Sequence, residues 1–158
     1  MSSFKKQIPE IKKSIDDHLK TILSESDQSS EELSQAMKYS VMNGGKRIRP
    51  MMMLASAVAI DIDTQHVIPF ATAIELLHSF SLIHDDLPCM DDDSLRRGQP
   101  TTHVKFGEAT ATLAADSLQS LAFELMAKAE FPESKSSQLE LISMIANSIR
   151  SEEHTSEL

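Results

Sequence analysis

Tryptophan is absent from this chain, tyrosine occurs once, and only four of its 158 residues are glycine. Sheet-based folds draw on aromatic and β-branched residues. Their scarcity, beside abundant Leu, Ala, Ile, Met, Glu and Lys, predicts an all-α protein. A single cysteine, Cys89, excludes an intramolecular disulfide and fits a reducing compartment, so a free thiol is expected. Positive charge is also short. Fifteen Lys and Arg against 24 Asp and Glu give a net charge of −9 and a pI near 5.0, which argues against nucleic acid as a partner because duplex binding needs a basic face. Long apolar runs are missing too. The segment from Met51 to Ile60 is about half the roughly 20 residues of a membrane-spanning helix. The start, Met1-Ser-Ser-Phe-Lys-Lys, lacks the apolar region of a secretory signal. No membrane span and a cytoplasmic location are therefore expected. Repeats and low-complexity tracts are absent, and the length suits one domain.

What is present is helical periodicity. Ile8, Ile11, Ile15, Leu19, Ile22 and Leu23 form one stripe within a helix from Phe4 to Leu23. A polar break from Ser24 to Ser30 follows, where Ser29 or Ser30 can cap a second helix, with Glu32 completing a capping box on Ser29. Gly44-Gly45 ends that helix, and Pro50 suits the first turn of a third, running through Met51 to Ile60 and broken by Asp61 to Thr64. Val67 to Asp86 reads as a long apolar helix interrupted by Glu75, His78, Ser79, Ser81 and His84. Pro88 disfavours helical geometry at Leu87, so this helix ends near there. After a loop through Pro100, Glu108 to Glu130 forms a helix with Leu113, Leu118, Leu121, Ala122, Leu125 and Met126 on its buried side, closed by Pro132. A last helix from about Ser136 to Ile149 carries Leu139, Ile142, Ile145 and Ala146.

Residues 85–93 read Asp-Asp-Leu-Pro-Cys-Met-Asp-Asp-Asp, and Arg96 and Arg97 follow at once. Five like charges in nine positions repel one another, so a folded chain that clusters them needs multivalent cations. Hard oxygen donors, with a lone cysteine and no His-x-x-His pattern, favour Mg2+, or Mn2+, over zinc; magnesium takes one or two carboxylates plus substrate phosphates. The arginines can hold that phosphate. An EF-hand is excluded, because counting from Asp91 puts Arg96 at the glycine position and Thr102 at the glutamate position. The end of the helix near Asp86 is the unfavourable end for carboxylates, which calls for a nearby positive charge. An exposed, solvated acidic loop is the structural alternative. Upstream, His78, Ser81 and Asp85 share one helix face over about two turns, roughly 10 Å. His78 alone also reads as a core histidine satisfied by a carbonyl.

A second cluster, Gly44-Gly45-Lys46-Arg47-Ile48-Arg49-Pro50, packs three basic residues between a turn and a helix start, where free backbone donors favour phosphate. It is not a Walker loop, since Ser40 stands where the first glycine is needed and Arg47 replaces the Ser or Thr.

Taken together, GGKRIRP, ELLHSFSLIHDDLPCMDDDSLRRGQPTTH and KFGEATATLAADSLQSLAFELMA resemble the trans-type polyprenyl diphosphate synthases over about Ser40 to Lys128. The resemblance implies an antiparallel helical bundle of the isoprenoid synthase type. Asp85 and Asp91, with Asp86 assisting, then bind magnesium bridging an allylic diphosphate, which Arg96 also contacts. Lys46, Arg49, His78 and Arg97 match the positions that hold isopentenyl diphosphate. The implied reaction joins dimethylallyl or geranyl diphosphate to isopentenyl diphosphate, in an enzyme expected to be homodimeric at full length. Phe80 and Ser81, together with the extra residues Pro88 and Cys89, look like the bacterial farnesyl-type pattern that sets chain length. Geranylgeranyl diphosphate is the alternative product, and a non-catalytic binding relative the alternative class.

Members of that family are about twice as long. Neither the Gly-Met-x-Gly-Gly-Gln helix nor the second aspartate-rich motif appears, so residues 1–149 are expected to be the N-terminal half of a truncated domain, inactive alone. The ending Arg-Ser-Glu-Glu-His-Thr-Ser-Glu-Leu, residues 150–158, resembles a translated sequencing adapter and is expected to be non-native; without it the net charge is −7, since it holds one Arg and three Glu.

Overall fold

The computed structural model describes residues 3–25, 30–131 and 134–149. The adapter-like tail, Ser29 and Pro132 lie outside those residues. Seven helices account for the described architecture, as the composition anticipated: α1 (Ser3–Glu25), α2 (Glu31–Met42), α3 (Ile48–Ala59), α4 (Thr64–Asp85), α5 (Thr102–Phe106), α6 (Glu108–Lys128) and α7 (Lys135–Ser148).

The apolar stripe of α1 buries Ile15, Leu19 and Leu23 against the bundle. Ser30 caps α2, its Oγ accepting the Leu33 N–H at 3.4 Å. The chain leaves α2 through Gly44 and Gly45, both at positive φ, and the next residue but one, Arg47, is left-handed at φ 50° as it caps α3.

Helix α4 is the centre of the fold. It is apolar nearly all round, as a buried helix should be, and packs on α1, α3 and α6. By length and composition alone it could cross a membrane, with a mean hydropathy of 1.4 over its most apolar window. Half of that window is buried against other helices, and the helix carries a buried, ion-paired glutamate. It starts a turn earlier than the sequence indicates, capped by Asp63, whose side chain accepts the Gln65 N–H at 2.9 Å.

Helix α6 meets α4 through small side chains. Ala111, Ala114, Ala115, Leu118, Ala122 and Met126 are buried, and alanines at the contact let two helices approach closely. Leu113, expected on this buried side, is 56% exposed. Successive residues turn by 100°, so it faces almost opposite to Ala111 and Leu118. Helix α7 buries Ile145 but leaves Leu139 and Ala146 exposed. It docks instead through Gln138, whose buried Nε2 donates to the Met126 and Ala129 carbonyls at 2.8 and 3.0 Å and satisfies the end of α6.

The expected loop before α5 contains a hairpin, β1 (Leu95–Arg96) against β2 (Gln99–Pro100). Arg97 and Gly98 form its two-residue turn, both at positive φ, the geometry that matches strand twist in tight hairpins.

Candidate functional site

The end of α4 delivers the acids. Asp85 closes the helix half-buried, and Asp86 caps it. The loop then folds back on the helix end: Asp91 N–H donates to the Asp85 carbonyl at 2.9 Å, and Met90 and Asp92 N–H to the Leu87 carbonyl at 2.8 and 3.1 Å. The turn through Pro88 and exposed Cys89 therefore brings Asp91 back beside Asp85.

Asp86 points elsewhere. It is 3% exposed, and Arg96 grips its carboxylate, with Nε at 2.8 and 2.9 Å from the two oxygens and Nη2 on Oδ1. One residue along a helix is a 100° rotation, enough to send Asp85 toward the open face and Asp86 inward. The hydrogen bond and charge of Asp86 raise the Arg96 pKa further. The positive charge required at this helix end is thus supplied by Arg96, with Asp93 Oδ2 a further 3.5 Å from its Nη2. Among the described residues, no three acids, histidines or cysteines converge as a ready-made metal cage. The backbone sets Asp85 and Asp91 side by side at the helix end, and two carboxylates suit magnesium, an ion that completes its shell with phosphate and water.

Gly45, Lys46, Ile48, Arg49, Glu75, His78 and Arg97 line an open recess of about 540 Å³, floored by Arg47. Its basic residues have distinct parts. Lys46 and Arg49 are exposed, whereas Arg47 is 4% exposed and serves the fold: Nε donates to Asp16 at 2.8 Å, Nη1 to Glu75 at 2.7 Å and Nη2 to the Val41 carbonyl at 2.9 Å. Arg97 Nη1 donates to the Gly44 carbonyl at 2.6 Å, which brings the hairpin tip over the glycine turn. A Cβ at Gly45 would lie 2.9 Å from Arg97 Nη1 and 3.3 Å from Arg47 Nη1, so only glycine lets both guanidinium groups flank this backbone.

Arg49 Nη1 stands 3.3 Å from His78 Nε2, which must be unprotonated to accept from it. Burial, then the neighbouring guanidinium of Arg49 and, farther off, those of Arg97 and Arg96, hold His78 below the ordinary histidine value of 6.5; Glu75 acts in the opposite sense. An anion in the recess favours the imidazolium, so the bound pKa lies above the free one. Pyrophosphate affinity should accordingly rise as pH falls through the bound value and level off below the free value. His78→Gln should flatten that rise; calorimetric titrations of both proteins across pH 5–8 test it, because the anion's own protonation is common to both.

Phe80, half-buried, sits edge-on to His84 with ring centroids 4.7 Å apart, and Ser81 Oγ donates to the His78 carbonyl at 3.0 Å. His84 reads in the sequence only as an interruption of apolar residues. In the fold its Nε2 is buried without a hydrogen-bond partner among the described residues, and Asp116 Oδ1 stands 3.8 Å away across α6. Their separation of 32 positions gives no local signal.

The family model for polyprenyl synthetase matches residues 30–155. The chain belongs to the polyprenyl synthetase family. Among its relatives is a farnesyl diphosphate synthase of Haemophilus influenzae, 44% identical over 128 residues, covering 81% of this chain and 43% of the relative. A large subunit of a heterodimeric geranylgeranyl pyrophosphate synthase from Arabidopsis thaliana is 50% identical over 97 residues, 61% of this chain and 26% of its own. The crystal structure of a geranyltransferase from Legionella pneumophila superposes with a TM-score of 0.88 at 35% identity, covering 92% of this chain and 52% of the other. This polyprenyl synthetase chain therefore has the all-α isoprenoid synthase fold, and it spans less than half the length of the curated relatives it matches.

Proposed function

We propose that this chain is the N-terminal half of a short-chain trans-prenyltransferase that condenses an allylic diphosphate, dimethylallyl or geranyl, with isopentenyl diphosphate to give farnesyl diphosphate. One observation carries the proposal: His78, which lines the recess with Lys46, Arg49 and Arg97, stands on the same helix as Asp85, two turns or roughly 10 Å before it. Two diphosphates need two anion sites at close range, one met by cationic side chains and one by carboxylates acting through a cation.

In this scheme Lys46, Arg49, His78 and Arg97 hold isopentenyl diphosphate. Asp85 and Asp91 hold the ions that face the allylic diphosphate. Bound Mg2+, or Mn2+, supplies stabilisation of the departing diphosphate as the allylic carbon–oxygen bond ionises. The isopentenyl double bond attacks the resulting carbocation, and loss of a proton completes the product. Arg96 adds positive charge beside the allylic diphosphate, and its bonds to Asp86 support a part for Asp86 in fixing that arginine. The homodimer and cytoplasmic setting implied by the resemblance belong to the same proposal; the exposed free Cys89 fits reducing surroundings.

Product length is assigned to Phe80 and Ser81, one turn below Asp85. The geranylgeranyl relative makes the twenty-carbon product the second choice. In an assay of the full-length gene product with isopentenyl diphosphate and labelled geranyl diphosphate, the fifteen-carbon product should dominate, and Phe80→Ala should shift it to longer chains. An unchanged product distribution removes Phe80 from this part, and no elongation at all favours a non-catalytic relative. Intact Asp85, Asp86, Asp91, Arg96 and Arg97 weigh against that outcome.

A further inference from the structure

The one tyrosine of the chain, Tyr39, lies outside the recess lining yet ties together the two segments that build it. It sits in the last turn of α2. Its hydroxyl donates to the Pro100 carbonyl at 2.8 Å, at the base of the hairpin, where Pro100 pairs with Leu95. Its own carbonyl accepts the Asn43 N–H at 3.0 Å, which closes the helix immediately before Gly44. The Gly44 carbonyl in turn receives Arg97 Nη1 from the hairpin tip. A single helix end therefore grips the hairpin at base and tip. The tyrosine ring is itself fixed, with Lys105 Nζ 3.7 Å from its centroid and Phe106 edge-on at 5.5 Å.

Resting on the assignment of the recess to a diphosphate, we infer that Tyr39 is a positioning residue for isopentenyl diphosphate: its hydroxyl sets the hairpin against the Gly45–Arg49 segment and so presents Arg97 ready-oriented to the anion. An arginine already held in place loses little rotamer freedom on binding, and affinity gained this way vanishes when the support is loosened. The Tyr39 ring never needs to touch the ligand.

Calorimetric titration of the full-length gene product with inorganic pyrophosphate in the absence of Mg2+, as wild type, Tyr39→Phe, Arg97→Ala and the double variant, tests the inference. Removing one hydrogen bond should weaken pyrophosphate binding roughly three- to tenfold in Tyr39→Phe, with the melting temperature lowered by only a few degrees. In the Arg97→Ala background the same substitution should have no further effect on affinity, because Tyr39 acts through that arginine. Wild-type affinity in Tyr39→Phe overturns the inference, as does an equal loss with and without Arg97. Wild type that fails to bind pyrophosphate, or Arg97→Ala that binds it normally, overturns the recess assignment along with it.

Discussion

Arg47→Ala should destabilise the fold by about 3–5 kcal/mol, the loss typical of breaking a buried ion pair by removing one partner. On a chain of this size that corresponds to a fall of roughly 10 °C in melting temperature. Arg47 and Glu75 are each 3% exposed at the side chain and 2.7 Å apart, so the substitution leaves a buried Glu75 without its ion-pair partner. It also frees Asp16 on α1 and the Val41 carbonyl at the end of α2, loosening three elements together. Arg47 holds a left-handed backbone that a non-glycine residue adopts only under strain, and its three hydrogen bonds are what keep it there. Glu75→Ala should behave alike, whereas the paired Arg47→Met, Glu75→Leu variant should recover most of the loss, since no buried charge is orphaned. Denaturant unfolding of all three decides it; single variants as stable as the double would show that the pair is not buried in solution. The Asp16 share of this tie has its own pH signature. Burial opposes ionisation of Asp16, but hydrogen bonds from Lys12 and Arg47 prevail and hold its pKa below the ordinary 3.8. A depressed carboxylate stabilises fully above the unfolded value, and that contribution disappears as pH falls through the lower folded one.

The fate of Arg47 marks where local pattern stops informing. Lys46, Arg47 and Arg49 look equivalent in the sequence, but only the first and last stand exposed in the recess, whereas Arg47, in its left-handed turn, is buried at the floor and bonded to Asp16, Glu75 and the Val41 carbonyl. Its partner Glu75 is 28 positions away and reads locally as a mere interruption of α4. What depends on a few consecutive residues was legible: the apolar stripe of α1, the cap at Ser30, the glycine exit from α2, and the end of α4 before Pro88. The spacing of His78 and Asp85 on one helix was also available from periodicity, and with it the two anion sites of the proposal. The hairpin was missed because its two strands are too short to show alternation, and its only signal was the Arg97-Gly98 pair. Leu113 went to the wrong face because four of the six residues that α6 buries are alanines, beside Leu118 and Met126, so hydrophobic size misled where angular position did not.

Adjacent aspartates should give opposite phenotypes. Asp85→Ala should abolish the Mg2+-dependent part of pyrophosphate binding, on the order of a hundredfold or more, since even outer-shell substitutions at metal sites cost 10–100-fold. Its effect on folding should be slight, for Asp85 is only half-buried at the end of α4. Asp86→Asn should do the reverse. It removes the charge that holds Arg96 by three hydrogen bonds, and a buried charge-assisted contact of that kind is worth about 1–3 kcal/mol, with the lower half of the range favoured because Arg96 is 31% exposed at its side chain. The Mg2+ dependence should survive, because the carboxylate lost points away from the Asp85–Asp91 edge. Titrating pyrophosphate with and without Mg2+, beside a thermal melt of each variant, separates the two. If Asp86→Asn lost the metal dependence while Asp85→Ala kept it, the ion would have to enter from the Arg96 side, and the proposed orientation of the allylic diphosphate would be reversed.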